Sequence, residues 1–122
     1  MKVGTTCQRL VSTVNRSDEV SAAARLMREA HVGYLVVVET DALGGVARPI
    51  GVLTDRDLVL TLLARDVIPS AVSVGDVMTA NPVTIRDSDS IEDALQKMRE
   101  HGVRRMPVVG ERGRSHGSVV HG

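Results

Sequence analysis

Thr13-Val14-Asn15-Arg16-Ser17-Asp18 returns 71 residues later as Thr84-Ile85-Arg86-Asp87-Ser88-Asp89. The same offset carries Ala23 onto Ala94, Met27-Arg28-Glu29 onto Met98-Arg99-Glu100, Val32 onto Val103, and Val37-Val38 onto Val108-Val109. No gap is needed from residue 6 to residue 38. Self-similarity at a fixed offset marks a duplicated architecture. It divides the chain into a first repeat over 1–73 and a second over 74–122, the latter opening on Val74-Gly75-Asp76-Val77-Met78-Thr79. The first copy has the longer loop, Glu39 to Arg48, and both copies then reach a Gly before a short run, Gly51-Val52-Leu53 and Gly117-Ser118-Val119. The offset there is 66, as a shorter second loop requires.

Each copy has the pattern strand, helix, strand, turn, strand. Val11–Val14 and Val83–Ile85 are short β-branched runs, the residue type that fits a pleated sheet. Val20, Ala23, Ala24 and Met27, and in the second copy Ile91, Ala94, Leu95 and Met98, recur at i, i+3, i+4, i+7 and predict helices. Ser17 or Asp18 can cap the first, and Ser90 with Asp93 forms a capping-box pattern before the second. Val32–Val38 is continuously apolar, as expected of a strand buried on both faces. Ile50–Leu53 is the next strand, followed by a helix over Asp55–Arg65 with Leu58, Val59, Leu62 and Leu63 on one side; Ile68-Pro69 ends that region. The second copy reaches Ser118-Val119-Val120 with no counterpart of that closing helix. The fold class is α/β in the mixed (α+β) sense, two β-α-β-β-α units with the last helix of the second missing.

Composition narrows the function. The chain has 122 residues, 43% hydrophobic and 25% charged, enough to bury a core without disulfide or metal support. Lys plus Arg is 15 and Asp plus Glu is 15, which argues against a dedicated polyanion binder. Tyr34 is the only aromatic residue, so a base-stacking platform for single strands is excluded. A nucleic-acid role for Arg104, Arg105, Arg112 and Arg114 has the charge balance against it. Cys7 stands alone and has the character of a small hydrophobe near the first strand. His31, His101, His116 and His121 show no metal-ligand spacing; His31 and His101 fall at helix C-terminal ends, where an imidazole suits the dipole. No apolar run approaches a membrane span, and Met1–Thr6 has no signal-peptide core, so a soluble cytoplasmic protein is expected. No nucleophile with a sequence-adjacent base and no glycine-rich phosphate loop point to an enzyme.

Three strings carry more specific information. They are Gly51-Val52-Leu53-Thr54-Asp55-Arg56-Asp57; Val77-Met78-Thr79 followed by Asn81-Pro82-Val83-Thr84; and His101-Gly102-Val103-Arg104-Arg105-Met106-Pro107-Val108-Val109. In this order and at the repeat spacing they resemble a tandem pair of cystathionine-β-synthase (CBS) domains, a Bateman module, over nearly the whole chain. The first is similar to that family's Gly-x-x-Thr/Ser-x-x-Asp signature. The resemblance implies two repeats packed by pseudo-twofold symmetry, with small three-stranded sheets covered by helices. It implies a regulatory, signal-transducing module, not an enzyme, that binds an adenosine compound (AMP, ADP, ATP or S-adenosylmethionine) in the cleft between the copies, needs no other cofactor, and acts on an unidentified regulated protein. It also implies a homodimer formed through the helices. On that resemblance Thr54 and Asp57 hold the ribose hydroxyls, Pro82, Val83 and Met106, with Pro107 beside them, flank the adenine, and Arg56, Arg104 and Arg105 face the phosphates. The pseudo-symmetric site is expected to be lost or badly weakened: Val120 and His121 fall where Thr54 and Asp55 fall, and Gly33 and Tyr34 replace Arg104 and Arg105.

The chemistry stands without the family. An ionised carboxylate accepts from vicinal hydroxyls with charge-assisted bonds, and Arg binds phosphate bidentately. Plain structural roles compete with these: Thr54 as a helix cap with acidic residues in the first turn, Arg104-Arg105 as a solvated pair of which simple alternation aims at most one at a ligand, Met27, Met98 and Met106 as core filler, and Pro107 as a mark of an edge position or a strand start. A structural dimer module without nucleotide is the alternative function, since apolar surface left uncovered by the missing helix recruits a partner. Arg112–Gly117 is Gly-rich and polar, and is expected to be mobile.

Overall fold

Two sheets grow from the two copies of the repeat, each backed by a helix whose apolar face the sequence period predicts. The computed structural model describes residues 1–6, 12–40, 47–110 and 115–120. Cys7, Val11, Arg112, Arg114 and His121 lie outside the described residues, together with the expectations placed on them.

In chain order the elements are helix α1 (Val3–Thr6), strand β1 (Thr13–Asn15), α2 (Val20–Ala30), β2 (Tyr34–Thr40), β3 (Ala47–Thr54), α3 (Asp55–Leu58) running into a π-helical stretch (Val59–Leu63), and a 3₁₀ turn (Pro69–Ala71). Then come α4 (Val74–Val77), β4 (Thr79–Ala80), β5 (Ile85–Arg86), α5 (Ile91–His101), β6 (Arg105–Val109) and β7 (Ser115–Val120). The first sheet has the order β1-β2-β3-β4 and the second β5-β6-β7.

One compact unit is Ser12–Glu39 with Ile50–Asn81; the other is Met1–Val11, Thr40–Pro49 and Pro82–Gly122. In the first unit β1 runs parallel to β2, Val14 opposite Val37. β3 runs antiparallel to the short β4, Gly51 opposite Ala80. A Cβ on Gly51 would stand 2.6 Å from Met78 Sδ and 3.0 Å from the Thr79 carbonyl oxygen, so β4 needs a glycine there to approach. The α2 residues Val20, Ala23 and Met27 pack with Val14, Leu35, Val37 and Leu53. Leu35, Val36, Val37 and Val38 are all buried, so β2 is covered on both faces. In the second unit β5 is parallel to β6, Ile85 opposite Val108, and β7 antiparallel to it, Met106 opposite Val119. Ala94 and Met98 of α5 pack with Ile85, Met106 and Val108.

Several expectations change in the structure. The first sheet has four strands, because Thr79-Ala80 adds to β3. The N-cap of α2 is Glu19, without a side-chain cap bond; Asp18 instead accepts from the Asn15 backbone N–H at 2.9 Å and shapes the preceding turn. Ser90 does cap α5, its Oγ accepting from the Asp93 N–H at 3.1 Å. After α3 the helix widens, with the Ala64 N–H donating to the Val59 carbonyl. Leu58 and Leu62 remain packed on the core, while Val59 and Leu63 turn outward, 50% and 73% exposed. Pro107 lies in a central strand, not at an edge. It is tolerated because β5 is two residues long and its parallel ladder with β6 begins one residue later, at Val108. Ser115–Gly117, expected to be a mobile tail, form the start of β7.

The sequence boundary at 73/74 and the compact units differ in one respect: the short leading helices exchange. α4, from the start of the second repeat, packs in the first unit, where Val74 is fully buried with Val20 and Leu53. α1 packs in the second unit, where Val3 is fully buried with Ile85 and Met106.

Candidate ligand site

The chain turns from β3 into α3 at Thr54, and that turn is closed by a reciprocal pair of hydrogen bonds. Thr54 Oγ1 accepts from the Asp57 N–H at 3.1 Å, and Asp57 Oδ2 accepts from the Thr54 N–H at 2.9 Å. This is the capping box: two backbone donors at a helix start, which have no helical partner, are satisfied by side chains three residues apart. Both residues are half-buried. Among the described residues Asp57 Oδ1 accepts no hydrogen bond, so one carboxylate oxygen is fixed by the fold and the other is left to a ligand or water. The structural role of the Thr54-x-x-Asp57 string thus uses Asp57 Oδ2 and Thr54 Oγ1 and does not engage Asp57 Oδ1.

Arg56, between Asp55 and Asp57 in sequence, is exposed. Asp55 serves the turn locally: its N–H donates to the Gly33 carbonyl at 3.0 Å, and its Oδ1 accepts from the Arg56 N–H at 2.8 Å. A Cβ on Gly33 would stand 2.6 Å from Asp55 Oδ2 and 2.9 Å from its carboxyl carbon. The start of β2 in the first unit therefore carries an acidic group against a residue that can bear no side chain without displacing it.

The second unit holds the other residues singled out in the sequence. Pro82 and Val83 are half-buried in the segment leading to β5, and Val83 packs against the core of Ile85, Ala94 and Met98. Arg104 and Arg105 are exposed at the start of β6. Met106 and Pro107 are fully buried. Met106 belongs to the core with Ala94, Met98 and Val108, so the core-filler role holds for it, and strand alternation sends Arg105 and Pro107 to the opposite face. Thr54, Arg56 and Asp57 thus form one group, at the β3–α3 turn of one unit. Pro82 and Val83 before β5, and Arg104 to Pro107 at the start of β6, stand in the other. His31 and His101 are found at helix C-terminal ends, as expected: His31 is the left-handed C-cap of α2 with φ 55°, and His101 Nδ1 lies 3.0 Å from the Lys97 carbonyl oxygen.

Val3 and Gly4 lie 71 residues before Val74 and Gly75 and also obey the repeat.

Among the described residues no group of three or more His, Cys, Asp or Glu side chains could hold a metal ion. Among them, too, no helix is long and apolar enough to cross a membrane.

The sequence pattern of the CBS domain matches this chain twice, over residues 8–64 and 74–121. An uncharacterized protein of Methanopyrus kandleri is 31% identical over 121 residues, which is 98% of this chain and 59% of that protein. The chain thus spans less than two thirds of that relative's length. Hypoxic response protein 1 of Mycobacterium tuberculosis is 34% identical over 91% of this chain and 70% of its own length. A crystal structure of hypoxic response protein I with two coordinated zinc ions superposes with a TM-score of 0.82 at 32% identity, covering 98% of this chain and 92% of that one. CBSX2, a CBS-pair protein of Arabidopsis thaliana, superposes in its complex with AMP with a TM-score of 0.77 at 30% identity, covering 98% of this chain and 90% of that one.

Proposed function

The chain belongs to the CBS domain family, and on that premise we propose that it is a regulatory module that senses an adenosine nucleotide and acts through a partner protein. The observation that carries the reading is the Asp57 carboxylate: half-buried, held through Oδ2 by the Thr54 N–H, with Oδ1 unengaged among the described residues. A carboxylate held in this way is preorganised to accept from the vicinal hydroxyls of a ribose, and Thr54 stands beside it. The exposed guanidinium groups of Arg56, Arg104 and Arg105 supply the charge that phosphates need. Pro82 and Val83, both half-buried, offer aliphatic surface for the adenine in a chain with a single aromatic ring, whereas Pro107 is fully buried and supports the strand. Met106 contributes from beneath, by supporting β6, because its own side chain is in the core. The crystallised complex of CBSX2 with AMP supports the ligand class.

Thermal melts with AMP, ADP, ATP and S-adenosylmethionine test this. A ligand at 100 times its Kd stabilises the native state by about 2.7 kcal/mol, a readily measured rise in melting temperature. Asp57→Asn keeps an oxygen to accept from the Thr54 N–H but removes the charge, so binding is expected to weaken about tenfold or more, the loss of a charge-assisted bond, with the fold intact. If none of the four compounds shifts the melt at millimolar concentration, the reading fails.

A second reading has its own observation. Val59, Leu60, Leu63 and Ile68 are exposed apolar side chains, three of them on the π-helical stretch. A surface of this kind fits a homodimer through the helices, with or without nucleotide. Sedimentation equilibrium at tens of micromolar decides it: a dimer that Leu63→Asp converts to a monomer supports the reading, and a monomeric parent chain ends it.

A further inference from the structure

Val83-Thr84 lie 71 residues after Ser12-Thr13, and the two pairs are held by different groups. In the first unit Thr13 is the first residue of β1, opposite Val36 of β2, and the Val36 N–H donates to the Ser12 carbonyl at 3.2 Å. The residue 71 positions after Val36 is Pro107, which has no N–H to give to the Val83 carbonyl. β5 accordingly begins one residue later than β1 does, at Ile85, and Val83-Thr84 stand outside the strand. A side chain holds the pair instead. Lys97 is half-buried on α5, and its Nζ donates to the Thr84 carbonyl at 2.5 Å. The same helix position in the first unit is Leu26, an apolar residue packed on the core. The charged donor thus stands in the unit whose ladder lacks an N–H, and the hydrocarbon in the unit whose ladder has it.

Pro82 and Val83 are therefore fixed from both ends. Before them the Asn81 N–H donates to the Ile50 carbonyl at 3.2 Å; after them comes the Lys97 bond. Val83 itself packs beside Ile85, Ala94 and Met98. An ammonium-to-carbonyl bond is charge-assisted, and partial burial shields it from water, so it holds more firmly than a neutral one. We propose that Lys97 is a positioning residue for ligand binding: it touches no ligand, and its ammonium fixes the Thr84 carbonyl so that Pro82 and Val83 present a set aliphatic surface to an adenine ring. This role rests on the reading of Pro82 and Val83 as adenine-contacting residues. A segment already ordered in the free chain gives up little freedom when it binds, so the tether acts on affinity through preorganisation.

Lys97→Met keeps most of the aliphatic stem and removes the donor, whereas Lys97→Arg keeps a charged donor. In the ligand-free chain Lys97→Met is expected to move the carbonyl-carbon resonance of Thr84 and to loosen the Val83 and Thr84 amides in nitrogen relaxation, with the resonances of β6 unmoved. Pro107→Val restores an N–H at the position that donates in the first unit, and in that background Lys97→Met is expected to loosen the same amides less. Calorimetry with AMP, ADP, ATP and S-adenosylmethionine, on whichever the parent chain binds, is expected to show Lys97→Met weakening binding about tenfold, the loss of a charge-assisted bond, and Lys97→Arg recovering most of it. An unmoved Thr84 resonance, or equal loosening in the two backgrounds, overturns the tether. If Pro107→Val does not fold, the Thr84 resonance and the affinities decide without it. A parent chain that binds, with Lys97→Met binding equally, overturns the positioning role alone. A parent chain that binds none of the compounds overturns the ligand reading and this role with it.

Discussion

The two units use one backbone plan and spend their side chains differently. Each buries a Val from the other repeat's leading segment, each carries an Asp that turns back on the N–H three residues earlier, and each covers its sheet with an eleven-residue helix. Where β2 begins the first unit has Gly33 under the Asp55 carboxylate, and where β6 begins the second has Arg104 and Arg105 exposed. The helix ends also differ. α2 starts at Glu19 with no side-chain cap bond and stops at His31 in the left-handed region, whereas α5 starts at Ser90 with its cap bond and stops at Gly102, φ 65°. The lesson is that backbone hydrogen bonds and buried volume preserve a duplicated fold, while charge at the strand ends is free to diverge.

The largest expected effect tests that shared plan. Leu35→Ala and Met106→Ala, at fully buried positions in the two cores, should each cost about 2–5 kcal/mol in denaturant unfolding. If one costs less than about 1 kcal/mol, that core is not packed as its twin is. Next comes the difference at the strand ends. Gly33→Ala is expected to cost about 1–3 kcal/mol by crowding Asp55, and clearly less in an Asp55→Ala background. An identical cost in both backgrounds breaks the link between the two residues. The helix caps follow. Ser90→Ala should lose about 1 kcal/mol, and Glu19→Ser should gain a smaller amount by giving α2 the bond it lacks. Smallest is the C-cap: His31→Gly relieves a left-handed non-glycine residue and should stabilise by about 0.5–1 kcal/mol, while Gly102→Ala should lose a similar amount. A destabilising His31→Gly would show that the imidazole contributes more at that helix end than its backbone strain costs.

Much of this was legible in the residues. The apolar period of Val20, Ala23, Ala24 and Met27 located α2, although Ala24 itself is exposed, and the run Val32–Val38 marked a strand that is covered on both faces at Leu35–Val38, because burial acts through side chains whose spacing is set by local geometry. The Thr54-x-x-Asp57 string located both a cap and a candidate ligand group. Illegible were features that hang on a neighbour. The outward turn of Val59 and Leu63 follows from a widened helix, and the run Val59-Leu60-Thr61-Leu62-Leu63 carries no sign of that widening. Pro107 in a central strand is permitted by the shortness of β5, which no residue near 107 encodes. Met106 is a core residue by strand alternation, and the placement of β6 decides which face is the core.

From the order of residues alone came the duplication, the helices and strands of each copy, and the aliphatic character of the cores, since these depend on patterns a few residues long repeated at one offset. Tertiary structure alone decided which leading segment closes which core. Val3 and Val74 stand in equivalent sequence positions, and a valine carries no information about which of two like slots it fills; the path of the chain and the backbone groups left open at Asp18 and Asp89 make that choice.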